Sequence, residues 1–264
     1  MIFTANISIL FTELPLLERP AAARAAGFRA VECWWPFEQP VPTRFEVDSF
    51  LAALDRAGVA LSGLNFFAGD MSSGDRGILS HPDQREVFDA NLDVVHALAQ
   101  STGCRSFNAL YGQRLPGIEP AEQEETAIEN LKRASAAVAP FDGQILLEPL
   151  TGGENGDYPL LRMEDALAVV DRVGSSSVKL LFDAYHLHNN GHDVTQELKR
   201  HAERIGHVQI ADSPGRGQPG TGRIDFQSFF SAVESSTYEG LIGCEYRPQG
   251  PTVQSFEWMR QHVA

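Results

Sequence analysis

Four oxygen-bearing side chains each stand near the end of a short apolar run. They are Glu148 in QILLEPL, Asp183 in VKLLFDAY, Gln209 in HVQIAD and Glu245 in GLIGCEY. Side chains alternate between the faces of a strand, so the apolar neighbours can pack outwards while the oxygens point inwards. Three carboxylates buried together need a counter-charge. An all-oxygen set suits Mg²⁺ or Mn²⁺ better than Zn²⁺, so the pattern predicts a site for one divalent metal ion.

A network of ion pairs and hydrogen bonds is the alternative interpretation of this pattern. It needs basic partners, and the inward strand positions offer few of them, with Lys179 the main one. A metal ion with four protein ligands would leave two octahedral positions for the hydroxyl and carbonyl oxygens of a substrate. Such an ion would polarise the carbonyl and acidify the adjacent C–H bond. Glu148 and Glu245, the two glutamates of the set, are then predicted to move a proton between neighbouring carbons as an acid/base pair.

Further polar residues fall at the same ends of the predicted strands. Asn65 and Asn108 end the third and fourth strands, where an amide can either bind a hydroxyl-rich substrate or cap loop backbone. His188 and His192 are assigned to the loop after the sixth strand, because H-x-H-x₃-H is not a zinc spacing. The glycine-rich RGQPGTGR lacks the GK[ST] ending of a phosphate-binding loop and predicts a flexible loop over the site.

The elements that must position these residues are eight β-rich runs that alternate with helical patterns. The runs are IFTANISI, AVECWW, ALSGLNFF, CRSFNAL and the four quoted above. Such alternation predicts parallel βαβ units, and no GxGxxG follows the first run, as a doubly wound sheet would favour. Eight strands in 264 residues predict a single-domain α/β protein, a (β/α)8 TIM barrel over residues 1–264. In that fold the chemistry lies at the C-terminal ends of the strands.

Composition limits the partners of the protein. Lys plus Arg number 21 against 35 Asp plus Glu, and the net charge of −14 repels nucleic acid. No apolar run approaches the roughly 20 residues that span a bilayer, and no basic leader opens the sequence. Three separated cysteines without a CxxC indicate a reduced, cytoplasmic setting. A small molecule is the expected partner, and both a monomer and a homo-oligomer stay open.

Five motifs carry a resemblance to a known family. LLEPLT, FDAYH, HVQIAD, GRGQPGTGRIDF and GCEYRP, in this order, resemble the hydroxypyruvate isomerase family, a branch of the xylose-isomerase-like barrels that includes 2-oxo-tetronate isomerases. The resemblance implies one divalent metal ion on the four residues quoted first. It also implies proton transfer by Glu148 and Glu245 through a cis-enediol. His186 is similar to the contact that family members make to a substrate oxygen, and Arg216 to their contact with an anion or hydroxyl.

The reaction that this resemblance implies is isomerisation of hydroxypyruvate to tartronate semialdehyde (2-hydroxy-3-oxopropanoate). A 2-oxo-tetronate isomerase and a ketose 3-epimerase are alternatives on the same scaffold. Gln209 stands where the related epimerases usually carry His, which favours the isomerase branch. A barrel that binds metal or ligand without catalysis is a further alternative. A DNA-repair endonuclease would need a histidine-rich zinc cluster and a basic groove, and the negative charge argues against it.

Overall fold

Every run predicted as a strand forms a parallel strand in the computed structural model, which describes residues 1–261. The strands are β1 (Phe3–Asn6), β2 (Ala30–Cys33), β3 (Ala60–Asn65), β4 (Ser106–Asn108), β5 (Gln144–Leu147), β6 (Val178–Asp183), β7 (Ile205–Ile210) and β8 (Ile242–Cys244). They close a barrel in chain order, with β8 paired to β1. The predicted (β/α)8 TIM barrel is confirmed.

Eight α-helices surround the barrel. They are α1 (Arg19–Ala25), α2 (Arg44–Ala57), α3 (Arg85–Thr102), α4 (Pro120–Val138), α5 (Met163–Val173), α6 (Ala184–Asn189), α7 (Val194–His201) and α8 (Phe226–Glu234). Gly103 and Gly174 end α3 and α5 in the left-handed conformation, with φ of 72° and 70°, which glycine adopts without steric cost. Among residues 1–261, no helix is both long enough and apolar enough to cross a membrane.

Strand alternation separates the apolar outer layer from the barrel interior. On β5, Ile145 and Leu147 join the hydrophobic core, whereas Leu146 lines a small cavity inside the barrel. On β6, Leu180 and Phe182 belong to the core, and Leu181 lines the same cavity. The side chain two positions after each inward leucine therefore faces inwards as well. These side chains are Glu148, after Leu146, and Asp183, after Leu181.

The upper interior of the barrel is polar instead of filled with branched apolar side chains. Glu32 of β2 is 2% exposed, and Gly243 of β8 faces it. A Cβ atom at Gly243 would lie 2.5 Å from Glu32 Oε1 and 2.9 Å from Gln209 Cγ. The missing side chain on β8 thus makes room for a buried carboxylate and the amide beside it.

Candidate active site

The C-terminal ends of four consecutive strands bring the predicted oxygen-bearing residues together. Glu148 follows β5, Asp183 ends β6, Gln209 is the penultimate residue of β7, and Glu245 follows β8. Their exposed fractions are 4%, 1%, 4% and 4%. Around the barrel mouth they form an arc, with one glutamate at each end and Asp183 paired in register with Gln209 between them.

Gln209 is held by carboxylates on both sides. Its Nε2 donates hydrogen bonds of 2.7 Å to Glu245 Oε2 and 2.7 Å to Glu32 Oε1. Asn6 Nδ2 donates to the same Glu245 oxygen at 2.7 Å. Because both amide hydrogens of Gln209 are used, its orientation is fixed, and its buried Oε1 has no hydrogen-bond partner in the described part of the chain.

Glu148 and Asp183 each accept a short hydrogen bond on one oxygen, and the second oxygen of Asp183 lies 3.5 Å from Arg216 Nη2. Asn108 Nδ2 donates to Glu148 Oε2 at 2.7 Å. Asp183 Oδ1 accepts from the backbone N–H of Tyr185 at 2.7 Å and so caps α6. Asn65 lies beside Asn108 in the paired β3–β4 register and lines the cavity below. Of the two predicted asparagines, Asn108 touches an acid/base candidate directly.

His186 lies in the first turn of α6 with its ring between two carboxylates. Its Nδ1 accepts a hydrogen bond of 3.1 Å from the backbone N–H of Thr151, so the proton of the neutral ring is on Nε2. Nε2 is 3.9 Å from Glu148 Oε1 and 3.7 Å from Asp183 Oδ2. Burial and the nearby Arg216 and Arg76 hold the His186 pKa well below its usual value. A neutral N–H donor suits a substrate oxygen better than a metal ion, although the three groups are close enough to share one.

Arg216 supplies a basic partner from a loop, where the inward strand positions offer few. Lys179, the main basic residue among those positions, is half-buried near the start of β6, at the opposite end of the strand from Asp183. Arg216 Nη2 pairs with Glu245 Oε1 and lies 3.5 Å from Asp183 Oδ2. The guanidinium also stacks over the Tyr185 ring at 5.3 Å. It enters from the loop after β7, where its backbone has a left-handed φ of 56°.

Burial perturbs the proton affinity of all three carboxyl groups at the mouth. It raises the pKa of Asp183 to about 6, although Arg216 and backbone N–H groups oppose the rise. Burial together with the Asp183 and Glu32 carboxylates raises the pKa of Glu245 to about 8 against the effect of Arg216. The pKa of Glu148 is raised well above its usual value by burial, Glu245 and Asp183. A glutamate whose pKa lies near neutrality, as that of Glu245 does, can both accept and donate a proton at physiological pH.

The donor set fits a divalent cation. Glu32, Glu148, Asp183 and Glu245 are four buried acidic groups, and one guanidinium, that of Arg216, pairs with two of them. Gln209 Oε1 is a neutral oxygen with no hydrogen-bond donor among residues 1–261. Hard cations such as Mg²⁺ and Mn²⁺ bind such sets of carboxylate and amide oxygens. Arg216 forms part of the ion-pair network that was the alternative interpretation of these residues. Its single positive charge does not balance the four acidic groups.

Glu32 was not identified from the sequence, although the alternation along β7 places its partners Gln209 and His207 on the inward face. His207 lies one layer below Gln209 on the same inward face of β7, and its Nε2 is 2.6 Å from Glu32 Oε2. The alternation of AVECWW, with Val31 and Cys33 in the outer core, already indicates that Glu32 points inwards. Thr151 had no such signal, because its contact with His186 depends on the loop after β5.

Loops from three strands meet beside the mouth. Tyr185 OH donates to the Glu154 carboxylate at 3.0 Å, and Arg76 Nε donates to Asn155 Oδ1 at 2.9 Å. Asn190 donates to the Leu150 carbonyl at 2.9 Å and so ties the end of α6 to the loop after β5. These contacts restrict the mouth on the side of β5 and β6.

Glu32→Leu is expected to weaken metal binding and kcat/KM by about 10–100-fold, as loss of a group that orients a ligand typically does. Leucine has a similar size but offers no acceptor, so the Gln209 amide is free to rotate. Glu32→Gln keeps an oxygen for Gln209 and should retain most of the activity. Metal titration and steady-state kinetics of the two variants measure the difference. Equal metal affinity in a folded Glu32→Leu variant would contradict a positioning role.

The chain shares its fold and much of its sequence with known proteins. The family model described as a xylose isomerase-like TIM barrel matches residues 20–262. The chain therefore belongs to the xylose isomerase-like TIM barrel family.

Named relatives indicate which class of enzyme within that family the chain resembles. A Streptomyces coelicolor protein provisionally named hydroxypyruvate isomerase is 48% identical over 97% of this chain and 95% of its own length. The Escherichia coli hydroxypyruvate isomerase is 33% identical over 97% of both chains. The Cupriavidus necator 2-oxo-tetronate isomerase is 32% identical over 99% of this chain and 98% of its own. The protein is thus an enzyme, a hydroxypyruvate isomerase-like member of the isomerases.

The chain is also similar to a solved structure named as an AP endonuclease, family 2, from Brucella melitensis, which is 31% identical over 100% of both chains with a TM-score of 0.92. This similarity supports the barrel fold described above.

Proposed function

We propose that the protein is a metal-dependent isomerase that moves a carbonyl group along a short hydroxy-carbonyl acid. The substrate we assign is hydroxypyruvate and the product tartronate semialdehyde, in the cytoplasm. The observation that supports this assignment is the arc of Glu148, Asp183, Gln209 and Glu245, in which two glutamates of raised pKa flank an oxygen-ligand set. Relatives named for this reaction support the same substrate class.

Glu148, Asp183, Gln209 and Glu245 would hold the ion. When bound, a divalent ion polarises a carbonyl and lowers the pKa of the neighbouring C–H bond. One glutamate carboxylate accepts the proton from the hydroxymethyl carbon, which gives a cis-enediol. The other glutamate, in its acid form, delivers a proton to the former carbonyl carbon, while the proton of the former hydroxymethyl oxygen passes to the former carbonyl oxygen, so that the aldehyde forms.

His186 and Arg216 orient the substrate in this proposal. The Nε2–H of His186 donates a hydrogen bond to a substrate oxygen, since its Nδ1 is already occupied by the Thr151 backbone N–H. Arg216 lies at the same mouth with a guanidinium that can bind a carboxylate through two parallel hydrogen bonds. The carboxylate of a three-carbon acid would thus contact the Arg216 guanidinium, and its reacting oxygens would lie near the N–H donor of His186.

Product analysis in heavy water tests this function. With hydroxypyruvate and Mg²⁺ or Mn²⁺, we expect NMR to show tartronate semialdehyde that carries deuterium at the new carbinol carbon. A 3-epimerase would instead label C3 of a ketose and leave its carbonyl in place. No turnover of hydroxypyruvate, in a screen that also contains 2-oxo-tetronate, other four-carbon oxo-hydroxy acids and ketoses, would contradict the substrate assignment. Turnover of 2-oxo-tetronate alone would instead indicate that the protein has the activity for which the Cupriavidus necator relative is named.

An endonuclease function has less support, despite the name of the Brucella melitensis structure. Within residues 1–261, the clusters of acidic, histidine and cysteine ligands are two in number, and each contains a single histidine. The net charge of −14 opposes binding of a DNA backbone. Both features favour a small-molecule substrate.

A further inference from the structure

A second group of potential ligands lies outside the barrel mouth, where α5 and α7 meet. Glu164 is in the first turn of α5, and Glu197 and His201 are one turn apart on α7. One oxygen of each glutamate and one ring nitrogen of His201 lie within 4.8 Å of one another. Residues four positions apart share a helix face, so the helix itself holds Glu197 and His201 side by side.

The distances in this cluster match the edges of a tetrahedral metal site. His201 Nε2 is 3.4 Å from Glu197 Oε2 and 3.6 Å from Glu164 Oε1. Zinc–nitrogen and zinc–oxygen bonds of about 2.0–2.2 Å at a tetrahedral angle separate the ligand atoms by about 3.4 Å. The side chains therefore need no rearrangement of the helices to reach a common ion.

Two buried polar atoms in the cluster have no partner. Glu197 and His201 are each 6% exposed, and Glu197 Oε2 and His201 Nε2 make no hydrogen bond within the described chain. The two atoms lie 3.4 Å apart without hydrogen-bond geometry between them. Buried polar atoms are costly when unsatisfied, so their convergence indicates a missing common partner.

Arg200 occupies the outer side of the cluster. Its Nη1 donates to Glu197 Oε1 at 3.0 Å and to Glu164 Oε1 at 3.3 Å. The arginine thus competes for Glu164 but leaves Glu197 Oε2 and His201 Nε2 free. With two carboxylates and one guanidinium, the site keeps one net negative charge when His201 is neutral.

We propose that Glu164, Glu197 and His201 bind a second divalent transition-metal ion, of the Zn²⁺ class, that joins α5 to α7. The one imidazole and two carboxylates are ligands that zinc accepts. Glu164 is partly exposed, with 45% of its side chain accessible, so the fourth position opens to water. The ion would give Glu197 Oε2 and His201 Nε2 a common partner. It would also link α7 to α5 through Glu164.

Zinc binding to the full chain tests this proposal. The protein is dialysed against Zn²⁺ with excess Mg²⁺, and bound zinc is counted by mass spectrometry of the metal. We expect His201→Ala and the isosteric Glu197→Gln each to lose one zinc ion per chain relative to the parent. His96→Ala removes a partly exposed histidine from α3 and should lose none. Equal zinc content in the parent and both cluster variants would overturn the proposal.

Thermal unfolding provides the second measurement. At a zinc concentration about 100-fold above its Kd, the midpoint of the parent should rise by roughly 5–10 °C, and those of the two cluster variants should not. Arg200→Met should tighten zinc binding, because the competing guanidinium is removed. Introducing Asp183→Asn into the parent and the cluster variants separates this ion from any at the barrel mouth. A midpoint rise of the same size in His201→Ala would contradict the assignment.

Discussion

Glu245→Gln is expected to lower kcat for hydroxypyruvate by about 10²–10⁴-fold, the usual contribution of a general acid or base. The amide has nearly the same shape and can still accept hydrogen bonds from Asn6 and Gln209, which now reach Glu245 Oε2 at 2.7 Å. It cannot take up or release a proton. Because Glu245 is also a proposed ligand, metal affinity should fall somewhat, so kcat is compared at saturating Mg²⁺ or Mn²⁺, where the ion is bound and turnover should still be lost.

Proton exchange assigns the role of each glutamate. In heavy water, a variant that keeps the base acting on the hydroxymethyl carbon should exchange that hydrogen without forming product. Glu245→Gln and Glu148→Gln should therefore differ, with exchange in one and none in the other. Glu239→Gln changes an exposed glutamate shortly before β8 and serves as the matched control. Near-parental isomerisation by Glu245→Gln would refute the acid/base assignment.

Asp183→Asn is expected to remove most of the bound divalent ion and to lower kcat/KM by about 10³-fold, since Lewis-acid polarisation supplies several kcal/mol to such reactions. The loss should not come from unfolding. Asparagine caps helices as well as aspartate does, so the bond from the Tyr185 N–H that starts α6 can persist. Removal of the carboxylate also leaves Arg216 paired with Glu245.

Asp193→Asn provides a control with the same local role. Asp193 accepts from the backbone N–H groups of Thr195 and Gln196 and caps α7, at an exposed position. Both variants should unfold near the parental temperature, and Asp183→Asn alone should lose metal and turnover. Parental metal affinity in Asp183→Asn would exclude this carboxylate as a ligand.

Alternation along the strands was sufficient to predict which side chains share the barrel mouth. It places Glu148, Asp183, Gln209 and Glu245 on the inner face because their neighbours are apolar, and the structure gathers all four. The same rule applied to AVECWW would have placed Glu32 with them. Their roles as ligands and as an acid/base pair rest on the experiments above.

Contacts made by loops did not follow from periodicity. Arg216 reaches Glu245 and Asp183 through a left-handed backbone in a loop of irregular conformation. Asn65 and Asn108 both end strands and look alike in sequence. Side-chain packing distinguishes them, since Asn108 alone is fixed against Glu148 at 2.7 Å. Such contacts depend on tertiary geometry that local patterns do not encode.

The register of the barrel limits how the length of the chain can change. A single inserted residue within β6 would turn Asp183 towards the helices and break its pairing with Gln209. An insertion at residues 68–80, between β3 and α3, leaves the order of residues within every strand intact. A change of length in a loop that carries no site residue therefore leaves the chemistry in place, whereas one in the last residues of β5 to β8, or in the loop that carries Arg216, would displace it.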